Sequence, residues 1–125
     1  MVSALRATLW AAGGLALLLG LLLWSGNGYT LTNFHMGLGI VVVLALWTLA
    51  GLALGRGSQR GLAVTALLWG LVTPVIGILQ TQLLPGSSHI LIQFVHLVLG
   101  AGAIAIGNRL ATALPRSLPQ PLRSQ

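Results

Sequence analysis

No aspartate, glutamate, lysine or cysteine occurs in this 125-residue chain. Without cysteine there is no disulfide relay, no thiol catalysis and no thiolate metal site. Without a carboxylate there is no membrane acid to carry protons or cations, which excludes proton-coupled exporters and carboxylate-lined ion routes. Charged residues make up only 5% of the chain, against about 25% in a soluble domain. All six are arginines, giving a net charge of +6. They are scattered and form no basic stripe of the kind that binds nucleic acid. They are explained as determinants of topology that also rest against anionic headgroups, a contact worth about 1 kcal/mol each.

What the chain does have is apolar surface. Hydrophobic residues reach 56%, arranged as four stretches near 7–24, 34–54, 62–84 and 90–113. A crossing of the hydrocarbon takes about 20 such residues, and backbone inside lipid must satisfy itself, which stretches of this length do as helices. The expected fold is therefore an all-α membrane protein, one domain over 1–113, in which short turns make an up-down-up-down bundle. The first stretch follows Arg6 and has no small-x-small cleavage pattern before Asn27, so it reads as a retained helix rather than a signal peptide. Segment 114–125 has prolines at 115, 119 and 121 and reads as a cytoplasmic tail.

Arg6 precedes the first stretch, Arg56 and Arg60 separate the second from the third, and Arg109, Arg116 and Arg123 close the chain. Cytoplasmic segments carry the excess of arginine, so both termini are expected inside, in the inner membrane of a bacterium. The uncharged breaks 25–33 and 85–88 then face outward. Thr30, Thr32 or Asn33 is expected to cap the second helix, and Pro85-Gly86-Ser87-Ser88 to end the third and cap the fourth.

Trp10, Trp24 and Trp69 fit an interfacial belt, whereas Trp47 falls mid-span. Pro74 is expected to kink the third helix. Most glycines are expected to serve helix packing, Gly51-x3-Gly55 being a small-xxx-small pair. A weak repeat runs through the chain. Trp10, Gly13, Gly20 and His35-x3-Gly39 are echoed by Trp69, Gly70, Gly77 and His96-x3-Gly100. Each half would be a helical hairpin, the two related by an axis along the membrane normal.

The chemistry must come from the histidines. An ionisable residue in a span is a functional-site candidate by default, and neutral imidazole is the form that ligates metals. His35 and His96 each sit on the second helix of a hairpin, with Gly39 and Gly100 one turn on and so on the same face. A glycine there would leave a flat space beside the imidazole for a planar ligand. Two imidazoles from facing helices in a bundle suit bis-histidine haem. His35 lies 21 residues before Arg56 and His96 13 before Arg109, about 31 and 20 Å of helix. That mismatch in depth narrows if the fourth helix runs on towards Pro115, leaving Arg109 to snorkel, or if the helices tilt. His89, seven residues before His96, lies about 10 Å further out, where it could meet a haem propionate or handle a proton. His35 with His89 would make a poor zinc site for want of a third ligand. Gln80, Gln82, Gln93, Tyr29 and Asn33 could bind propionates or a quinone headgroup on the outer side. No arginine lies there to pair with a propionate.

The layout resembles the four-helix membrane cytochromes b and, more loosely, one half of haem A synthase. The resemblance rests on His35-Met-Gly-Leu-Gly39 and His96-Leu-Val-Leu-Gly100 in the second and fourth spans. It implies haem b held by His35 and His96, and electron transfer with a quinone or an outward redox protein, as a quinone-linked or outward-facing oxidoreductase. The chain departs from those families in having no acidic residue and no deeper histidine pair, which leaves a single outer haem. The rival reading is a non-catalytic subunit or assembly factor of a respiratory or photosynthetic complex, packed as a homo-oligomer or in a larger assembly. An uncoupled pore or carrier formed by oligomers is a third.

Overall fold

The computed structural model describes residues 1–114, so the proline-rich segment from 115 onward lies outside the described residues. Four helices account for nearly all of the rest: α1 (Val2–Trp24), α2 (Thr32–Gly55), α3 (Arg60–Leu79) and α4 (His89–Ala113), and there is no strand among the described residues. They are 23, 24, 20 and 25 residues long, or about 30–37 Å at 1.5 Å per residue. All four are long and apolar enough to cross a membrane. The chain is an all-α integral membrane protein.

Helices α2 and α4 meet in the middle, and α1 and α3 each pack against both of them. Contacts in the α1–α4 seam step in opposite directions along the two helices: Leu9 meets Gly107, Gly13 meets Ile104 and Leu17 meets Gly100. Arg6, Arg56, Arg60 and Arg109 consequently gather towards one end of the bundle and the histidines towards the other.

The helix boundaries differ from the expected spans where turn chemistry intervenes. α3 stops at Leu79, five residues early, because the polar run Gln80-Thr81-Gln82 leaves the apolar pattern. Leu84, which precedes Pro85, is in the left-handed region at φ 47°. α2 is not capped by a side chain as expected. Left-handed Gly28 (φ 73°) starts a 3-10 turn over Tyr29–Leu31 that leads directly into the helix. Thr32 bonds back to the Tyr29 carbonyl at 2.7 Å instead. Ser88 likewise gives α4 no side-chain cap.

Packing is concentrated at the arginine end. Leu9, Leu46, Leu49 and Leu110 are fully buried there, and Ala45, Ala50, Ala53, Ala63, Ala66 and Ala103 fill the space between them. Small residues let membrane helices approach closely, since association in lipid depends on van der Waals contact rather than on escape from water. Leu114, counted with the tail on sequence grounds, is 2% exposed and belongs to this core. Glycines receive the larger knobs. Trp47 of α2 occupies the place of a Gly70 side chain and donates its indole N–H to the Leu67 carbonyl at 3.1 Å. Trp69 of α3 does the same at Gly102, bonding the Leu99 carbonyl at 2.8 Å. Trp69 is thus an inter-helix knob nine residues inside α3, not a belt residue. Gly51 and Gly55 meet nothing within 4 Å, so that small-residue pair packs no helix of its own chain.

Candidate functional site

At the histidine end the filling stops. Among residues 14–39 and 71–102, Ile92 is the only buried one. The helices continue as regular backbone through this region, but their side chains are half-buried or exposed rather than enclosed.

His35 and His96 face each other here. Their ring centres are 6.1 Å apart and the planes are inclined at 67°. The two rings meet despite the unequal distances to the arginines, and Arg109 lies four residues inside the end of α4 at Ala113. A ring nitrogen lies about 1 Å from its ring centre, so no N···N approach at this spacing can be shorter than about 4 Å, beyond the roughly 3 Å of a hydrogen bond. The two imidazoles therefore do not bond one another. That lower bound is the length of two metal–nitrogen bonds of about 2 Å laid end to end.

The two rings are held differently. His35 Nδ1 lies 3.0 Å from the carbonyl oxygen of Ala16 on α1. A carbonyl only accepts, so Nδ1 carries the proton and Nε2 keeps its lone pair for a ligand. This orients the ring in the way that a partner on the distal nitrogen orients metal-binding histidines. His96 has the Thr73 carbonyl of α3 beside it, but the contact does not close a bond to Nδ1, which is buried without a partner. Ala16 and Thr73 occupy matching places in the two hairpins, each four residues before a glycine.

Those glycines border the site. A Cβ on Gly20 would stand 3.3 Å from His35 Cε1, and one on Gly77 would stand 2.7 Å from His96 Cε1. Each imidazole thus lies on the bare backbone of the neighbouring helix in its own hairpin. Sequence reasoning placed the clearing at Gly39 and Gly100 instead. Gly39 does face open space, while Gly100 admits Leu17 at 3.4 Å. Gly20 and Gly77 went unassigned as site residues, although both were already aligned in the repeat.

His89 starts α4, half-buried, with its Nδ1 3.3 Å from the Leu83 carbonyl. It donates there and ties down the loop that leaves α3. Gln80 and Gln93 are half-buried, while Gln82, Tyr29 and Asn33 are exposed. No group of three metal-ligating side chains forms among the described residues, so His35 with His89 makes no closed zinc site. A shallow apolar groove of about 320 Å³, lined by Thr65, Leu68, Trp69, Val72 and Leu99, includes neither facing histidine.

A planar iron macrocycle with two imidazole ligands is compatible with these residues. The ring spacing, the free Nε2 of His35 and the glycines beside both rings suit it. The absence of any described cation at this end is the one feature that does not. No protein-family model, curated protein or solved structure matches the chain.

Proposed function

We propose that this protein binds one haem b through His35 and His96 and serves in electron transfer at the outward-facing end of a four-helix membrane bundle. The observation that carries the reading is the opposed imidazole pair at 6.1 Å, each ring seated on a glycine of the neighbouring helix. The resemblance to membrane cytochromes b supports it. We take the helices as up-down-up-down with both termini cytoplasmic, on the distribution of arginine, in a bacterial inner membrane.

When bound, the haem would supply one-electron iron chemistry tuned by its axial ligands and surroundings. The chain's own contribution is to hold and to shield. His35, oriented by Ala16, and His96, seated on Gly77, present neutral imidazoles that add no charge to a low-dielectric site. Gln80, Gln93 and His89 are the polar groups nearest the outer rim, suited to hydrogen-bond propionates where no arginine is present. With a single histidine pair, the chain has no transmembrane relay of its own, so a quinone or a redox protein would exchange electrons on the outer side.

The deciding experiment is the absorption spectrum of the gently purified protein, oxidised and then reduced, beside His35→Ala and His96→Ala. A sharp Soret band that shifts on reduction and is lost in either variant is the expected result. A colourless wild type from haem-replete cells overturns the reading. In that case the second reading stands, a membrane subunit or assembly factor, favoured by the outward-turned Gly51 and Gly55 that a neighbouring helix could approach.

A further inference from the structure

The opposite end of the bundle carries a polar cluster that the haem reading does not use. Arg6 and Trp10 are four residues apart on α1 and so share a face. Both donate to the same atom across the α1–α4 seam: Arg6 Nε to Asn108 Oδ1 at 2.8 Å, and Trp10 Nε1 to that oxygen at 3.3 Å. An amide oxygen has two lone pairs, so these two donors saturate it. The guanidinium is thereby pinned through Nε, and its two terminal amino groups have no hydrogen-bond partner among the described residues. No side-chain carboxylate exists anywhere in the chain to neutralise it.

From this cluster we infer that Arg6, Trp10 and Asn108 form a specific site for the phosphate of an anionic phospholipid. With Nε committed to Asn108, the remaining edge of the guanidinium is the two-pronged end that suits two oxygens of one phosphate. Arg6 is half-buried one turn inside a membrane-spanning helix, about 6 Å along from Val2, a depth that a headgroup reaches. Trp10 beside it is 55% exposed, and with its N–H satisfied it offers an indole face to the glycerol and upper acyl chain. Arg56 and Arg60 are the internal contrast. Both are exposed, Arg56 just after α2 and Arg60 at the start of α3, and neither side chain is pinned by a hydrogen bond among the described residues. They attract the same lipids only as loose surface charge.

The test is native mass spectrometry of the full chain released from nanodiscs made of equal phosphatidylglycerol and phosphatidylcholine. Wild type is expected to retain one phosphatidylglycerol in preference to phosphatidylcholine. Arg6→Gln is expected to lower that occupancy about tenfold, the equivalent of 1.4 kcal/mol. Arg6→Lys, which keeps the charge but not the fork, and Asn108→Leu, which frees the guanidinium, are each expected to lower it several-fold, while Arg56→Gln/Arg60→Gln leaves it unchanged. Excess inorganic phosphate is expected not to displace the lipid, and displacement would make a soluble phosphate the ligand instead. Equal retention of the two lipids by wild type overturns the inference even if every variant fails to fold. So does an Arg56→Gln/Arg60→Gln chain that loses the lipid as fully as Arg6→Gln.

Discussion

The two ends of this bundle are made from the same kinds of residue and packed to different degrees. At the arginine end, four leucines are fully buried among alanines and every seam is closed by a knob seated on a glycine or an alanine. At the histidine end, the same four helices run on with one buried residue, Ile92. The difference lies in what the interior is for. Where nothing but the chain occupies the centre, small and large residues alternate until the space is full. Where the imidazoles stand, the side chains around them are only partly buried, and Gly20 and Gly77 each seat a histidine ring.

The largest expected effect lies in the filled end. Leu49→Ala should destabilise the bundle by about 2–5 kcal/mol, the range for deleting a buried leucine with incomplete collapse. Ile92→Ala at the open end should cost less than half as much. Reversible unfolding in mixed micelles measures both, and equal losses would erase the distinction between the ends.

Gly77→Ala comes next. A new Cβ 2.7 Å from His96 Cε1 must move the ring or the helix, a strain of about 1–3 kcal/mol by comparison with overpacked cores. Gly20→Ala, with 3.3 Å to His35 Cε1, should disturb less, and Gly39→Ala, facing open space, least. The intensity and position of the Soret band across this series would rank the three. A Gly39→Ala variant as damaged as Gly77→Ala would return the clearing to the place expected from the His-x3-Gly spacing.

Trp47→Phe keeps the knob on Gly70 and removes only the hydrogen bond to Leu67. Its cost should be about 0.5–1.5 kcal/mol, the net worth of one such bond, measured by the same unfolding assay. The smallest effect belongs to Gly51→Ala, which meets nothing within 4 Å and should leave the monomer's stability level or slightly raised, since glycine in a helix interior costs about 0.5–1 kcal/mol relative to alanine. Loss of self-association or of a co-purifying partner in that variant would give the outward face of α2 a role.

Much of this was legible in the residues, and the rest was hidden for identifiable reasons. Runs of some 20 apolar positions show the four spans, because lipid leaves the backbone no alternative to the helix. The pairing of His35 with His96 could be read from the repeat. Which nitrogen is free could not, since it depends on a carbonyl, Ala16, that any residue type would provide. Gly20 and Gly77 escaped notice because a glycine on the neighbouring helix has no fixed sequence distance from the ring it accommodates, whereas His-x3-Gly catches the eye on a single helix. The early end of α3 was only partly legible: Gln80-Thr81-Gln82 leaves the apolar pattern, but nothing in the residue type of Leu84 announces its left-handed backbone.

The bond from Arg6 to Asn108 joins the first turn of α1 to the last turns of α4 across 102 residues. Asn108 is among the last helical residues to be made, so Arg6 Nε lacks this partner until α4 is in place. Only the arrival of α4 saturates that donor and brings His96 opposite His35 in the same event. Completion of the bundle and completion of its site are thereby a single step, and a chain truncated within its last helix would have neither.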